Sequence, residues 1–551
     1  MAIRLLLVAI ILGLVSVAKA QMQATPEDNK GHLSGDVEIN ATWFDRDTLI
    51  GTSTTQYLHE KSSAEGWFTM NYLISGWSFT ARYDMYNNSA LLDPTIAYTG
   101  QGLGFYQIDK KIDKWEFTAG DFYDQFGSGI LFRAWQDRYL GLDYAVQGVR
   151  AQYTPNDSFF IKGFAGQQKN RFTVWPQVMK GLNSEKIWGI GNVSMVTGAG
   201  LLNRTLDQAT MNQLANEINN LPYSQRFTPM YNMYAGTIYN TLSYKGFSLY
   251  TEYAKKSKEA VFITDDNNNQ QLENLAGDVI YAGANYSFYG FGLNVQYKRI
   301  NSFIMKTTPY ATILDGIMNY LPPLSKQESA RLPALYSVSA QSQGENGIQG
   351  EVTYAIDKRN SFDFNVSYIK KPDNEILYRE YYAEYNKIFS RSVKMDVGVQ
   401  SLIYNYAVYE GHPGDVVHTV TPFFEMSIRL GGPRQIASGT SESKAPLQKS
   451  IRFELQYLST KQDSGSYAYA LVEYNLAPKW SFAVSDMYNI IPQHAADQKL
   501  NYYGTFISYT EKQTRFSIGY AKQVAGVICT GGVCRIEPAF SGVRASISTN
   551  F

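Results

Sequence analysis

The chain is poor in the residues that build catalytic and metal centres: 551 residues hold only 2 Cys, 5 His and 18 Pro. His412 and His418 flank Asp415 across a turn with no third ligand in view, which reads as a solvated loop rather than a metal or His-Asp site. No nucleophile elbow and no paired-carboxylate motif is present, so the sequence is expected to belong to no enzyme class and to need no cofactor. Beyond the first twenty positions no apolar run approaches the ~20 residues that a membrane-spanning helix requires. Charge of either sign is also missing in excess, with Lys+Arg 49 against Asp+Glu 49. That balance points to no nucleic-acid partner and to no strong ion selectivity, although it conceals the sign of any lumen.

What is abundant is aromatic and small: 42 Tyr, 29 Phe, 8 Trp and 44 Gly. Tyrosine at this level suits the interfacial girdles of a transmembrane β-barrel, where the ring sits at headgroup depth and the hydroxyl stays wet. A mean hydropathy of -0.28 looks soluble, yet alternation along strands hides an apolar band from any running average. Phe291, Leu293, Val295 and Tyr297 point one way while Asn294, Gln296 and Lys298 point the other. The last strand repeats the pattern through Val543, Ala545, Ile547 and Thr549 to the terminal Phe551, which resembles the C-terminal aromatic signal read by the barrel-assembly machinery. At the other end, Arg4, the apolar Leu5 to Val17 and the small-x-small Ala18-Lys19-Ala20 form an export signal cleaved after Ala20. Residues 1–20 are therefore expected as signal peptide, 21–32 as a short periplasmic segment and 33–551 as an all-β, antiparallel outer-membrane barrel of a Gram-negative bacterium.

Tight turns such as Tyr244-Lys245-Gly246, Phe288-Tyr289-Gly290 and Glu511-Lys512-Gln513 alternate with long polar stretches. With the C-terminus in the periplasm, the tight turns fall on that side, and insertions near 122–144, 166–232, 257–277 and 302–346 fall outside. Gly431 to Gln448 is the long connection that lands on the periplasmic side. Counting runs gives about 22 strands (range roughly 18–24), without an N-terminal plug domain ahead of the first strand. A lumen of that width needs a filler, and the sequence offers the helical spacing of Leu206, Met211, Leu214 and Ile218 and the apolar Tyr310 to Leu324 stretch.

Residues 119–143 read AGDFYDQFGSGILFRAWQDRYLGLD, dense in carboxylate, arginine and aromatic side chains. The candidates for loop, constriction or ligand contacts are Asp121, Tyr123, Asp124, Arg133, Trp135, Asp137, Arg138 and Asp143. Arg133 and Arg138 are expected either to pair with Asp124, Asp137 or Asp143 and lock an inward loop, or to bind a carbohydrate together with the aromatics. The end of this stretch, with Val146-Gln147-Gly148-Val149-Arg150, resembles an uncharacterised outer-membrane β-barrel family of Bacteroidota that carries a domain-of-unknown-function label. That resemblance implies the barrel fold and no activity. Cys529 and Cys534 bracket Thr-Gly-Gly-Val at the last outer hairpin, where export favours a disulfide over a two-cysteine metal site.

The functional expectation is a channel or porin-like passage for small solutes, narrowed by loops. The alternative is a non-transporting scaffold that docks an outer-membrane protein or lipoprotein partner in a secretion or surface-assembly complex, and a barrel enzyme ranks behind both. Expected partners are outer-membrane lipid and, during biogenesis, the barrel-assembly machinery.

Overall fold

A computed structural model describes residues 30–52, 59–90, 97–264, 269–312, 314–411, 413–431, 448–493, 499–530 and 533–551. The segment expected as a signal peptide, the connection at 432–447, His412 and His494 lie outside the described residues, as do the side chains of Cys529 and Cys534. Antiparallel strands pair in chain order into one 24-stranded sheet. The ring closes where the first strand, His32–Phe44, pairs with the last, Phe540–Asn550. Closure leaves the sheet no free edge, so its backbone donors and acceptors are satisfied without water.

Outward positions carry the apolar band. Phe68, Met70 and Tyr72 on one strand, and Trp77, Phe79 and Tyr83 on the next, stand exposed on the outer face, while Arg82 and Asp84 point inward and are buried. In a soluble protein so large an apolar exterior would be a liability, but around a barrel it is the lipid-facing surface. The short connections cluster at the end that carries the C-terminus. Ser75-Gly76, Lys245-Gly246 and Tyr289-Gly290 are two-residue turns, and in each of them the first residue has a positive φ (47°, 49° and 37°), the geometry that matches strand twist.

Two barrel strands lie inside the segment expected as an outer insertion at 166–232. Thr173–Ile190 and Val193–Thr205 pair with each other and with their neighbours throughout. They raise the count from about 22 to 24. Their pattern escapes an apolar-out search because Lys180, Ser184 and Lys186 sit on the outer face of one, and Gly198 and Gly200 on the inner face of the other. Only the remainder of that segment is an insertion, with an α-helix at Gln208–Asn220. The expected insertion at 257–277 is likewise mostly strand, since Phe247–Thr264 and Gln270–Phe288 run on as a projecting hairpin. Met211, Leu214 and Ile218 pack the helix against Ala260 and Leu272 of that hairpin.

The C-terminal residue is built into the seam. Phe551 exchanges backbone hydrogen bonds with Gly35 (2.9 and 3.0 Å), and its ring stacks on Phe68 with 6.1 Å between centroids. A Cβ on Gly35 would stand 2.6 Å from the Phe551 ring and 2.4 Å from the carbonyl oxygen of Thr69, so the glycine is what lets the ring lie over the closing strand pair. Phe551→Ala should cost about 1 kcal/mol of the seam's stability and lower the temperature of the heat-induced shift in gel mobility. Phe551→Tyr should restore it, and equal transition temperatures for all three proteins would disprove the role given to the ring.

Candidate functional site

The lumen is filled from the end opposite the short turns by two loops. The first, 123–145, bends at Gly127 (φ 52°) and Gly129 (φ 97°) and carries two small hairpins, Asp124–Phe126 with Phe132–Ala134 and Gln136–Asp137 with Leu142–Asp143. Phe126, Ile130, Leu131 and Phe132 are buried almost completely, which explains why the segment turns inward instead of lying in water. The wall is shaped to receive them. A Cβ on Gly181 would stand 2.8 Å from the Phe126 ring, and one on Gly200 would stand 3.2 Å from the same ring. At the tip, Ser128 donates through its backbone N–H and its hydroxyl to Glu252 Oε2 (3.2 and 2.5 Å), and its N–H also reaches the Tyr250 hydroxyl (3.0 Å).

The charged candidates form no ion pairs with one another, and those that are ion-paired find the opposite charge on the wall. Asp143 accepts from Arg82 Nη2 (2.7 Å), Lys169 Nζ (2.6 Å) and the Tyr123 hydroxyl (2.9 Å). Burial works against the charge on Asp143, but Lys169 and Arg82 outweigh it and hold the carboxyl below its ordinary range. Arg82 also grips Asp84 through two nitrogens (2.6 and 2.9 Å), and Tyr123 stacks on Phe105. Asp124 pairs with Lys162 (2.5 Å) and approaches Arg150 (3.7 Å). Arg138 reaches Glu38 (2.9 Å) and lies over the Trp67 ring. Arg133 stands over Trp135 (4.9 Å) and Tyr320 (4.4 Å), so the expected pairing of these two arginines with Asp124, Asp137 or Asp143 does not occur. Asp137 accepts from the Leu140 N–H in a turn, and Asp121 accepts from the Tyr106 N–H within the wall.

The second loop, 302–343, is a strap across the mouth. Toward its middle it is sewn to the first loop: Arg133 N–H donates to Met318 O (2.9 Å), Tyr320 N–H to Gly129 O (2.9 Å), and Asn319 Nδ2 to Ile130 O (3.0 Å). Gln168, on Phe159–Asn170, donates to Ile317 O (2.6 Å), whereas Gln456, on Gln448–Leu458, accepts from the Leu332 N–H (2.7 Å). Those strands are seventh and nineteenth around the ring, and 19 − 7 = 12 of 24 places makes them diametrically opposed. Phe303, Met305 and Met318 join the core on one side, and Leu324, Leu332, Tyr336 and Val338 join the core on the other. Where the strap leaves and rejoins the wall, Lys298 and Glu345 form a fully buried pair at 2.7 Å, and Lys298 also donates to Pro322 O.

One group on the strap stands out. The Glu328 side chain is largely buried, and its Oε1 lies 3.6 Å from Lys326 Nζ. Burial pushes its carboxyl up to about 7, against the pull of Lys326 and with the help of Glu380 and Glu384. Beneath it the inner wall is acidic. Seven successive strands, from Gly344–Asp357 to Ser466–Ala477, turn Glu351, Asp363, Glu384, Asp396, Glu425, Glu454 and Glu473 inward, against the inward cations Lys394 and Arg452 and the strap's Lys326. Toward the short-turn end this wall is wetted: the Glu351 side chain keeps 36% exposure and that of Glu425 keeps 32%. Sequence reasoning had the strap's apolar stretch and the first loop, but not Arg82, Lys169, Glu252 or the acidic wall. The inward alternation of Arg82 and Asp84 is the signal that was available for that pair.

Solved structures align with the chain at low identity and low TM-score. The P pilus usher PapC translocation pore aligns over 94% of this chain and 99% of its own, with 10% identity and a TM-score of 0.41. The outer membrane transporter YddB from Escherichia coli aligns over 96% and 81%, with 8% identity and a TM-score of 0.39. OprB of Pseudomonas putida aligns over 63% and 90%, with 11% identity and a TM-score of 0.31. No curated protein matches the sequence. At the level of sequence the chain belongs to the family of unknown function DUF6029, which matches it over residues 1–551.

Proposed function

We propose that this barrel is a gated passage for small hydrophilic solutes in the outer membrane of a Gram-negative bacterium, with its long loops outside and its short turns in the periplasm. The observation that carries this reading is the strap, which spans opposite walls at the outer mouth above a wetted lumen. A gate is helped by a contact that can be unmade, and the Glu328–Lys326 pair on the strap, beside Glu380 and Glu384, is such a contact. The acidic wall gives the conduit a preference for cations and neutral solutes that the balanced net charge does not reveal.

Replacing 305–340 with a short Gly-Ser linker should raise single-channel conductance in planar bilayers several-fold, with a reversal potential in a KCl gradient that favours K⁺. A folded, heat-modifiable variant that stays silent would exclude the channel. The sign of the pH effect follows from Glu328: its carboxyl is held above the ordinary carboxylate value, so the stability its neutral form lends the packed strap is present at low pH and lost as pH rises through about 7. Open probability should therefore increase between about pH 5 and 8. Glu328→Gln should remove that increase and keep the strap shut, and an unchanged pH profile in the variant would remove Glu328 from the gate.

The outer hairpin Gly526–Thr530 with Val533–Glu537 sets Cys529 directly opposite Cys534. We infer a disulfide that staples this hairpin. Protein purified from membranes should resist thiol alkylation until reduced, and alkylation of both cysteines without reductant would rule the bond out.

A further inference from the structure

On the outer face, four neighbouring strands (Thr173–Ile190, Val193–Thr205, Asn232–Tyr244 and Phe247–Thr264) enclose a groove of about 560 Å³. Its floor follows one row of the sheet, in which Leu182 faces Leu201, Leu201 faces Gly236, and Gly236 faces Lys255. Gly236 makes the depression. A Cβ there would open directly onto the Leu201 side chain at 3.3 Å, so any larger residue narrows the groove. The row above brings Lys180 opposite Asn203, and Asn203 opposite Tyr234.

Lys180 and Lys255 both point outward, and neither forms an ion pair among the described residues. Every deeply buried inward lysine nearby behaves differently: Lys256 pairs with Glu259, Lys169 with Asp143, and Lys298 with Glu345. The depth of the two outward lysines is set by the strands. Lys180 precedes the short turn after Ile190 by 190 − 180 = 10 residues. Lys255 follows Phe247 by 255 − 247 = 8 residues. At ~3.3 Å per residue and ~45° tilt, both lie ~20 Å above the short-turn end, near the outer rim of an apolar band ~25 Å tall. The two strands are three places apart, or ~14 Å, so two extended ammonium groups can converge on one headgroup between them. Tyr234 stands 61% exposed beside that position, a ring and hydroxyl suited to a sugar.

We propose that this groove is a binding site for a phosphorylated glycolipid of the outer leaflet. An acyl chain lies over Gly236 between Leu182, Leu201 and Tyr234, and the phosphate sits between Lys180 and Lys255. The site rests on the barrel's orientation in the membrane and not on conduction, so a silent barrel could still carry it.

The test is native mass spectrometry of the detergent-purified full chain with monophosphoryl lipid A, phosphatidylglycerol and phosphatidylethanolamine at matched concentrations. Monophosphoryl lipid A should be retained at least about tenfold more strongly than either phospholipid. Lys180→Ala with Lys255→Ala should abolish that difference, and Gly236→Leu, which keeps both charges and fills the groove, should weaken binding comparably while leaving the heat-induced mobility shift in place. Phosphatidylglycerol binding as tightly as monophosphoryl lipid A would overturn the proposal, and so would variants that bind like the parent.

Discussion

The requirement that governs everything else is closure. A sheet in hydrocarbon has no water to satisfy its edges, so His32–Phe44 must find Phe540–Asn550, about five hundred residues away in the chain. Phe551 secures this by laying its ring over a glycine in the partner strand, at the position where the two ends of the sheet meet. Once the ring has closed with 24 strands, its circumference is fixed, and so is an interior too wide for wall side chains alone to fill.

The two loops answer that geometry, and they do so as one unit. The first loop docks in wall positions emptied by glycine and is neutralised by wall cations, and the strap is then hydrogen-bonded to the first loop before it crosses to the far side. The strap's near acceptors, Gly129 O and Ile130 O, belong to the first loop, so the position of the strap depends on how that loop is seated. Hydrophobic burial supplies the drive, and the buried ion pairs fix the register in which the loops settle.

Much of the architecture was legible because a barrel writes itself in period two. The turn residues, the C-terminal aromatic and the alternation around Tyr297 each follow from local physics, and they locate most strands and sort most connections. The two strands that escaped are those in which the period is broken: Lys180 and Lys186 stand on the outer side of one, and Gly198 and Gly200 on the inner side of the other, where Tyr239 and Phe126 occupy the space. The density of charge and aromatics at 119–143 was a sound guide to where an inward loop lies. It could not name partners, because Asp143 meets Arg82 from sixty-one residues away and Ser128 meets Glu252 from one hundred and twenty-four away, separations that carry no local signal.

The strap begins and ends at one cross-strand pair, Asn301 with Gly344, on adjacent strands. Both ends of the strap therefore leave the wall at one place, and it is the contacts with the first loop and with the opposite wall that hold it flat across the mouth, as a drumskin is held by its rim. The fully buried Lys298–Glu345 pair clamps the place where the two ends meet.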